Sequence, residues 1–350
     1  MRADFWRGRD VFVTGHTGFK GAWLCVLLSR LGARVHGYAL ATPDTFLYQR
    51  AGLRELVASD VVGDIRDRGS LRDAMTASGA DVVLHLAAQS VVRASYDDPT
   101  ETFSSNVDGT LSVLEVARSV ARVQRCVVVT TDKVYRNHEW SWGYREIDGL
   151  GGDDPYSASK ACTELLTHAM AVSFPREGFA VATARAGNVI GGGDATADAL
   201  MPELISSYAE GRRAVLRYPE AVRPWQLVLE PLNGYLTLAE HLDADRHDTA
   251  WNFGPSAADV LTVGDVADRT AALWGDGAGW ETTPDHGPHE AGLLSLDSAK
   301  AHAELGWSPV YEVGEALSAT VTWEREVRAG AGPREVTQRQ VDAFAERATT

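Results

Sequence analysis

The sequence is poor in cysteine, has no long apolar run and has no excess of positive charge. Its three cysteines, Cys25, Cys126 and Cys162, are far apart, and none lies in a CxxC motif. This excludes a disulfide scaffold and a zinc site of the CxxC type, and it predicts a reducing compartment. Every apolar stretch is shorter than the roughly 18 residues that a membrane helix needs. The N-terminus passes directly from charged residues into a short strand, so we expect a cytoplasmic protein without a signal peptide or membrane contact.

The charge balance excludes a further class of function. The sequence has 33 lysines and arginines against 48 acidic residues, which gives a net charge of −15. A general nucleic-acid binder needs a basic face to displace counterions, so we expect no nucleic-acid partner. A phosphate ligand would need local arginines, lysines or helix N-termini. The length of 350 residues is typical of about two domains.

Short β-branched runs alternate with helical patterns in the first half of the chain. Strands that are separated by helices form βαβ units, and their right-handed crossovers produce a parallel sheet covered on both faces. The pattern therefore predicts an α/β fold with a doubly wound, Rossmann-type parallel sheet. The predicted strands are 10–15, 33–40, 58–65, 81–86, 125–131 and 179–187.

This alternation ends near residue 187, where a glycine-rich segment begins. We expect residues 1–186 to form the dinucleotide-binding domain. Residues 187–225 and 256–335 are predicted to form a smaller C-terminal α/β substrate domain, while 226–255 returns to pack on the sheet. Residues 336–350 are expected to form a polar tail with a weak helical pattern.

A glycine-rich loop follows the first predicted strand and opens a helix. Glycines in the pattern GxxGxxG permit a tight turn, close approach of a pyrophosphate and close helix–sheet packing. The pyrophosphate then lies at the positive helix N-terminus. The alternative is an ordinary structural turn, but the strand–loop–helix context favours a dinucleotide. The predicted cofactor-binding residues of this loop are Gly15, His16, Thr17, Gly18, Phe19, Lys20 and Gly21.

The second strand lacks the acidic residue that usually holds the adenosine ribose. It ends in Tyr-Ala-Leu-Ala at 38–41, which also offers no arginine for a 2′-phosphate. The choice of NAD over NADP is therefore weakly supported here. Asp64 and Ile65 are candidates to frame the adenine, although an aspartate there is equally typical of a helix cap. Lys20 and His16 are candidates to compensate through phosphate or ribose contacts.

Tyr156 and Lys160 form the most informative motif. Residues at i and i+4 of a helix point the same way, one turn apart. An ammonium group beside a phenol favours the phenolate and lowers its pKa. The pair therefore predicts a base that takes a proton from a sugar hydroxyl while a hydride leaves the same carbon. The alternative is a surface YxxxK pair without function.

A second cluster, Thr131, Asp132 and Lys133, follows the fifth predicted strand at the edge of the sheet where ligands bind. Thr131 is a candidate to share the hydrogen bond to the substrate hydroxyl. One acid and one amine beside a sugar suit elimination of water across two carbons. The alternative for Asp132 is a helix N-cap.

Two other features favour structural roles. His85, in the fourth strand, is predicted to be a core histidine. A polar cluster is predicted to be a loop, because no fourth ligand is near, so we expect no metal site. Its members are Asp285, His286 and His289.

Several segments together resemble the extended short-chain dehydrogenase/reductase superfamily and, within it, the CDP-glucose 4,6-dehydratases. The YxxxK motif marks the superfamily, whereas the Asp-Lys pair, WGYRE and RPWQ are much narrower. The likeness covers nearly the whole chain. It rests on residues 12–21, 86–103, 106–110, 130–137, 142–160, 185–194, 223–236 and 288–307.

The resemblance implies a redox-neutral cycle with NAD. Tyr156 would deprotonate the 4-hydroxyl as NAD takes the C4 hydride. Lys133 would remove the C5 proton, where related dTDP-sugar dehydratases carry a glutamate, and Asp132 would protonate the leaving 6-hydroxyl. The hydride would return to C6, giving CDP-4-keto-6-deoxyglucose.

The resemblance also implies further binding residues. The added cofactor-binding residues are Leu86, Ala87 and Ala88. The expected nucleotide-sugar ligands are Gln89, Arg93, Asn188, Gln226 and Glu290, together with Arg217 and Arg223, whose guanidinium groups suit a diphosphate. The sequence departs from the family pattern near the expected substrate site at Ser90, Tyr218 and Leu227.

The predicted helices 101–120 and 156–173 are apolar on more than one face. This pattern and the resemblance predict a homodimer or a dimer of dimers, built through these helices. Three alternatives to a CDP-glucose dehydratase remain. They are a 4-epimerase of a nucleotide sugar, a 4,6-dehydratase of another nucleotide hexose, and a silent cofactor-sensing protein of the same fold.

Overall fold

The protein is described by a computed structural model that covers residues 1–243, 250–256, 259–283 and 292–348. Two short 3-10 helices, Leu53–Leu56 and Asp132–Val134, and one π-helical segment, Ser104–Asp108, interrupt the regular elements. The strands are β1 (Asp10–Thr14), β2 (Arg34–Ala39), β3 (Ser59–Val62), β4 (Val82–His85), β5 (Arg125–Val129), β6 (Ala180–Ala186), β7 (Val189–Ile190), β8 (Ala214–Leu216), β9 (Val222–Pro224), β10 (Gln226–Leu227), β11 (Ala250–Phe253), β12 (Val260–Thr262) and β13 (Trp280–Thr282).

The helices lie between these strands and in the C-terminal region. They are α1 (Ala3–Trp6), α2 (Phe19–Arg30), α3 (Leu47–Arg50), α4 (Arg68–Ser78), α5 (Val92–Asp97), α6 (Pro99–Phe103), α7 (Gly109–Ser119), α8 (Pro155–Ser173), α9 (Leu200–Ala209), α10 (Leu229–His241), α11 (Val263–Trp274), α12 (Ala299–Leu305), α13 (Val313–Arg328) and α14 (Pro333–Ala348).

A seven-stranded sheet in the order β3-β2-β1-β4-β5-β6-β11 forms the centre of the molecule. Every adjacent pair in this sheet is parallel. The prediction of a doubly wound, Rossmann-type sheet is therefore confirmed. The carboxyl ends of β1, β4 and β5 meet at one edge, so the glycine loop and Thr131–Lys133 are brought to the same side of the molecule.

The sheet is buried on both faces, as its nearly continuous apolar strands require. Successive side chains point to opposite faces, and this alternation divides the core in two. Val11 and Val13 of β1 belong to one apolar cluster, which also contains α2 and α10. Phe12, between them, belongs to the other, which lies against α4 and α7.

The second half of the chain contributes short strand pairs beside this sheet. β7 pairs with β10, β9 with β12, and β8 with β13. Within 226–255, α10 is buried along nearly its whole length, and β11 pairs with β6 in the central sheet. The division into two domains stays a prediction. The short strand pairs β7/β10, β9/β12 and β8/β13 contribute residues to the side of the cavity that faces the carboxyl edge of the sheet.

The C-terminal residues are more ordered than the sequence pattern indicates. Most of the expected polar tail lies in α14, whose apolar side chains Val336, Val341 and Phe344 are buried. This helix packs against α2 and α13. The polar composition of α14 describes its outer face, while three apolar residues anchor its inner face. Among the described residues, no helix combines the length and apolar character needed to cross a membrane.

Candidate functional site

The loop between β1 and α2 is shaped for close approach of a phosphate group. Gly15 has a φ of 72°, and a Cβ atom there would lie 2.7 Å from the backbone nitrogen of Ala87. A Cβ on Gly21 would lie 2.2 Å from the carbonyl oxygen of Gly15. The loop therefore requires glycine at both positions. Gly18 is the N-cap of α2 and supplies no side-chain cap, so the helix N-terminus suits an anion.

His16 and Lys20 of this loop have different environments. The His16 side chain is enclosed, with its Nε2 2.9 Å from Asp60 Oδ1. Burial lowers the pKa of His16, an effect that Asp60 opposes. The enclosed imidazole does not support the expected ribose contact, so we expect a cofactor contact through the backbone instead. Lys20 lies on the site side, with its Nζ 3.4 Å from Tyr235 Oη. Burial lowers the pKa of Lys20 to about 8, and Asp132 opposes this shift.

The remaining predicted cofactor-binding residues lie along the same edge. Thr17 donates to the carbonyl oxygen of Leu40 at the end of the second strand, over 3.4 Å. Leu86, Ala87 and Ala88 follow β4, and the backbone nitrogen of Ala87 contacts Thr14 Oγ1 at 3.3 Å. Phe19 begins α2.

Asp64 and Ile65 follow β3. The Asp64 carboxylate accepts bonds from the Arg66 guanidinium group, the closest at 2.6 Å. This pairing holds the pKa of Asp64 below its usual range. Ile65 packs against Gly109, where a Cβ would lie 2.5 Å from the Ile65 side chain. The helix-cap alternative is not observed, because the N-cap of the following helix α4 is Asp67.

His85 is a core histidine, in line with its predicted structural role. Its Nδ1 lies 2.7 Å from Thr14 Oγ1 and its Nε2 lies 3.0 Å from Thr110 Oγ1, so both ring nitrogens have partners. Burial lowers the pKa of His85 to about 3, which keeps the ring neutral at neutral pH. Within the described residues, no cluster of histidine, cysteine and acidic side chains is arranged to hold a metal. The cluster Asp285, His286 and His289 lies outside them.

Tyr156 and Lys160 lie in the first turns of α8 and are both buried. Asp154 caps this helix by accepting from the backbone nitrogen of Ser157 at 2.9 Å, and Pro155 starts it. Lys160 Nζ donates to the carbonyl oxygen of Val129 at 3.1 Å. The helix is thereby fixed against the end of β5.

The pKa of Tyr156 shifts in the direction opposite to the one that the sequence predicts. Burial raises it, and a hydrogen bond with Thr131 opposes this effect. Burial also lowers the pKa of Lys160 to about 8. The spacing on the helix shows that the two side chains share a face, but it does not show how far both are removed from water. A cationic nicotinamide ring is therefore needed to favour the phenolate.

Asp132 is buried, and only one of its two carboxylate oxygens has a hydrogen-bond partner in the described part of the chain. It is 2% exposed, and its Oδ1 accepts from Thr131 Oγ1 at 3.0 Å. Its Oδ2 has no hydrogen-bond partner in the described part of the chain. Burial raises the pKa of Asp132, although Lys133 opposes this shift. The N-cap alternative does not hold for this residue, because the N-cap of the 3-10 turn is Thr131.

Glu164 is a residue that the motif analysis missed. Its buried carboxylate accepts from Thr130 on the segment after β5, and from Thr183 and Arg185 of β6 at 2.7 Å each. It thus ties α8 to the segments that carry Thr131 and Asp132. The signal was present, because Glu164 follows Lys160 by four residues and so lies on the face of Tyr156 and Lys160.

A cavity of about 790 Å³ joins these groups to the second half of the chain. One side holds Thr131, Asp132, Lys133 and Tyr156. Of the expected substrate ligands, Arg93, Asn188, Arg217 and Arg223 line the cavity, as do Ser90 and Tyr218.

Three expected substrate-site positions do not line this cavity. The Gln89 side chain is occupied within its own loop, where Nε2 donates to Thr102 Oγ1 at 2.9 Å. Gln226 is buried and donates to the carbonyl oxygen of Phe253 at 2.9 Å. Leu227 lies in the core, so its departure from the family pattern affects packing rather than the pocket. Glu290 is outside the described residues.

The glycine loop, the buried Tyr/Lys pair and the parallel sheet define a class, that of dinucleotide-dependent enzymes of the short-chain dehydrogenase/reductase type. The family follows from the sequence match. Residues 11–254 match the NAD dependent epimerase/dehydratase family, and the chain belongs to this family.

Individual relatives within this family are similar to the chain over most of its length. The chain is 44% identical over 331 residues to a CDP-glucose 4,6-dehydratase of Salmonella typhimurium, covering 92% of each chain. It is 32% identical over 270 residues to a dTDP-glucose 4,6-dehydratase of Streptomyces griseus, covering 75% of this chain and 78% of the relative. The resemblance to CDP-glucose 4,6-dehydratases is confirmed.

A solved structure gives the same result at the level of the fold. The dTDP-glucose 4,6-dehydratase of Streptomyces venezuelae, solved with NAD bound, superposes with a TM-score of 0.78 at 26% identity. The match covers 93% of this chain and 99% of the other.

Proposed function

We propose that this protein catalyses the NAD-dependent dehydration of CDP-D-glucose to CDP-4-keto-6-deoxy-D-glucose. The observation that carries the proposal is the juxtaposition of two acid/base pairs in one cavity. Tyr156 with Lys160 suits oxidation at C4, and Asp132 with Lys133 suits elimination across C5 and C6. The similarity to the Salmonella enzyme, at 44% identity over 92% of both chains, supports the same reaction.

The glycine loop fits the pyrophosphate of NAD, because the close packing at Gly15 and Gly21 brings the N-terminus of α2 to the edge of the sheet, and Gly18 leaves that N-terminus without a side-chain cap. When bound there, NAD supplies a reversible hydride acceptor beside the sugar. The backbone N–H groups at the start of α2, from Phe19 to Gly21, would hold the pyrophosphate. Lys160, whose Nζ donates to the carbonyl oxygen of Val129 at the end of β5, would hold the nicotinamide ribose.

Tyr156 starts the reaction by taking the proton of the 4-hydroxyl group as the C4–H bond breaks. Thr131 lies beside the phenol, where it opposes the rise in the pKa of Tyr156. The resulting ketone at C4 acidifies the C5–H bond. A buried phenol needs positive charge to release its proton, and Lys160 together with the cofactor provides it.

Lys133 and Asp132 then remove water. Lys133 takes the C5 proton while Asp132 gives its proton to the 6-hydroxyl, which leaves as water. Burial raises the pKa of Asp132, which favours the protonated form that this step needs. Return of the hydride to C6 and of a proton to C5 completes the cycle, so C4 is oxidised and C6 is reduced.

The Asp/Lys pair separates this function from that of a 4-epimerase. A UDP-glucose 4-epimerase of Lacticaseibacillus casei is 26% identical to this chain over 293 residues. Epimerisation at C4 uses the Tyr/Lys oxidation but expels no water. A buried Asp132 with a raised pKa beside Lys133 has a use in dehydration and none in epimerisation.

The test is a panel of CDP-, dTDP-, UDP- and GDP-glucose, each incubated with the full-length protein and NAD. We expect a 4-keto-6-deoxy product and the highest kcat/KM for CDP-glucose. A preference above about tenfold for another nucleotide would overturn the choice of base. Formation of the C4 epimer without loss of water would overturn dehydration itself.

The cofactor is proposed to bind loosely. The second strand ends without the carboxylate that usually accepts from the ribose, and the enclosed His16 side chain does not replace it. Loss of a hydrogen bond to a charged group costs on the order of 1.5–3 kcal/mol, or roughly ten- to a hundredfold in affinity. We expect NAD to be preferred over NADP and activity to rise on adding NAD to purified protein. Stoichiometric retained nicotinamide, with no response to NAD, would contradict this.

We also propose a homodimer, or a dimer of dimers, in the cytoplasm. Exposed apolar side chains lie on the helices that the sequence predicts at the interface, among them Phe103 of α6 and Leu165 and Val172 of α8. A Leu165→Glu change should weaken the association, which light scattering of the eluting protein measures. A wild-type monomer at micromolar concentration would contradict the dimer.

A further inference from the structure

Three charged side chains from separate parts of the chain meet at the substrate cavity. Arg93 lies in α5, Asp198 in the loop between β7 and α9, and Arg217 directly after β8. Asp198 Oδ1 is 3.5 Å from Arg93 Nη1 and 3.9 Å from Arg217 Nη1. One carboxylate oxygen thus faces two guanidinium groups, and all three residues line the cavity.

We propose that Asp198 sets the affinity for the nucleotide sugar by competing with its diphosphate group for Arg93 and Arg217. The inference rests on the proposed function, because it takes the substrate to be a nucleotide diphosphate. A phosphate oxygen presents the same acceptor chemistry to arginine as a carboxylate does. Two anions cannot share these guanidinium groups without repulsion, so binding of the diphosphate displaces Asp198.

The two ion pairs of Asp198 are weak enough for a diphosphate group to replace them. The side chains of Arg93, Asp198 and Arg217 are 33%, 42% and 28% exposed. Partly exposed ion pairs are weak and are screened by salt. Asp198 therefore lowers the affinity for substrate and product without closing the site. This favours release of a product that keeps the same diphosphate.

The backbone supplies a matched variant. Asp198 has a φ of 60°, in the left-handed region that asparagine also tolerates. Asp198→Asn therefore removes the charge and keeps the loop conformation. Glu203→Gln is the control, because Glu203 lines the same cavity but its carboxylate accepts from Ser207 Oγ.

The test is calorimetric binding of CDP and of inorganic pyrophosphate to the full-length wild type and both variants, at low and high salt. We expect Asp198→Asn to bind both ligands about three- to tenfold more tightly, with a smaller difference at high salt. In turnover, KM should fall by the same factor while kcat changes less. Glu203→Gln should stay within about twofold of wild type.

Two results would overturn the proposal. Unchanged or weaker binding by Asp198→Asn would mean that the carboxylate positions the arginines for substrate rather than competing for them. An equal gain in Glu203→Gln would assign the effect to the general charge of the cavity. Pyrophosphate carries no base or sugar, so wild type that binds pyrophosphate but not CDP would count against the proposed substrate and leave this test intact.

Discussion

The two sides of the substrate cavity are built in different ways. On the catalytic wall, formed by Thr131, Asp132, Lys133 and Tyr156, every residue except the half-buried Lys133 is less than a tenth exposed. Behind it, Glu164 accepts short hydrogen bonds from two residues of β6, Thr183 and Arg185. On the binding wall, formed by Asn188, Asp198, Arg217 and Arg223, the contacts of Asp198 with arginine are longer and partly exposed.

The difference follows from what each wall has to do. Proton and hydride transfer need reacting atoms held within a narrow range of distances, which dry and closely packed surroundings provide. Binding and release of a diphosphate need charges that exchange partners. We therefore expect substitutions on the catalytic wall to abolish turnover or stability. Substitutions on the binding wall should change affinity.

Removal of the proposed catalytic base, Tyr156, should have the largest effect on turnover. Tyr156→Phe removes the proton acceptor but preserves the ring, so we expect turnover to fall by roughly a thousandfold or more. Binding of the nucleotide sugar should stay within a few fold of wild type. Steady-state kinetics and calorimetric binding measure the two effects, and a substantially active variant would remove Tyr156 from the role of base.

Lys133 separates oxidation from elimination. Lys133→Ala should still permit hydride transfer from C4, so reduced nicotinamide should accumulate on the enzyme, while dehydration slows by roughly a hundredfold or more. Lys133→Arg is the matched control, because arginine keeps the charge beside Asp132 but does not act as a base at neutral pH. Rapid-mixing absorbance follows the reduced cofactor. Dehydration by either variant at the wild-type rate would show that Lys133 is not the C5 base.

The two walls also differ in how far the sequence predicts them. The glycine loop and the Tyr156/Lys160 pair are local patterns, because a strand–loop–helix turn and an i, i+4 spacing are fixed by backbone geometry alone. The direction of the Tyr156 pKa shift depends on burial by distant segments, which local spacing does not contain. The prediction that His16 contacts the ribose likewise did not include its partner Asp60, which lies two strands away in the sheet.

The binding wall was less predictable because it is assembled from short strand pairs. Arg217 and Arg223 were expected from their chemistry, and both line the cavity. Gln89 and Gln226 were expected to bind substrate, but their amide nitrogens donate to partners within the protein. Asp198 was not predicted, because its two arginine partners are separated from it by 105 and 19 residues and no motif links them.

A stability measurement tests whether the support behind the catalytic wall is as strong as its geometry indicates. Glu164→Gln leaves Arg185 buried without its counter-charge, which should lower the free energy of unfolding by about 3 kcal/mol. Glu203→Gln, on the exposed start of α9, should change it by less than about 0.5 kcal/mol. Denaturant unfolding measures both. If the two variants had the same free energy of unfolding, the bonds of Glu164 behind the catalytic wall would contribute no more to stability than those of Glu203 on the binding side.

The last prediction concerns a carboxyl group away from the cavity, where α10 meets the start of α13. Glu230 is fully buried and accepts from the backbone nitrogens of Val310 and Tyr311, the latter at 2.7 Å. Burial raises the pKa of Glu230 to about 7, and the bond from Val310 opposes this shift. The folded protein therefore holds a proton that the unfolded chain releases near pH 4.5.

The sign of the effect follows from this difference in bound protons. Between pH 4.5 and about 7 the folded state binds more protons than the unfolded state, so stability falls as the pH rises and then levels off. Glu230→Gln imitates the protonated form and should remove this contribution. Relative to the variant, wild type should lose roughly 2–3 kcal/mol of unfolding free energy across that range. If the unfolding free energies of the two proteins changed in parallel with pH, the prediction would be wrong. Glu230 would then be ionised in the folded state, because its backbone donors outweigh the effect of burial on its pKa.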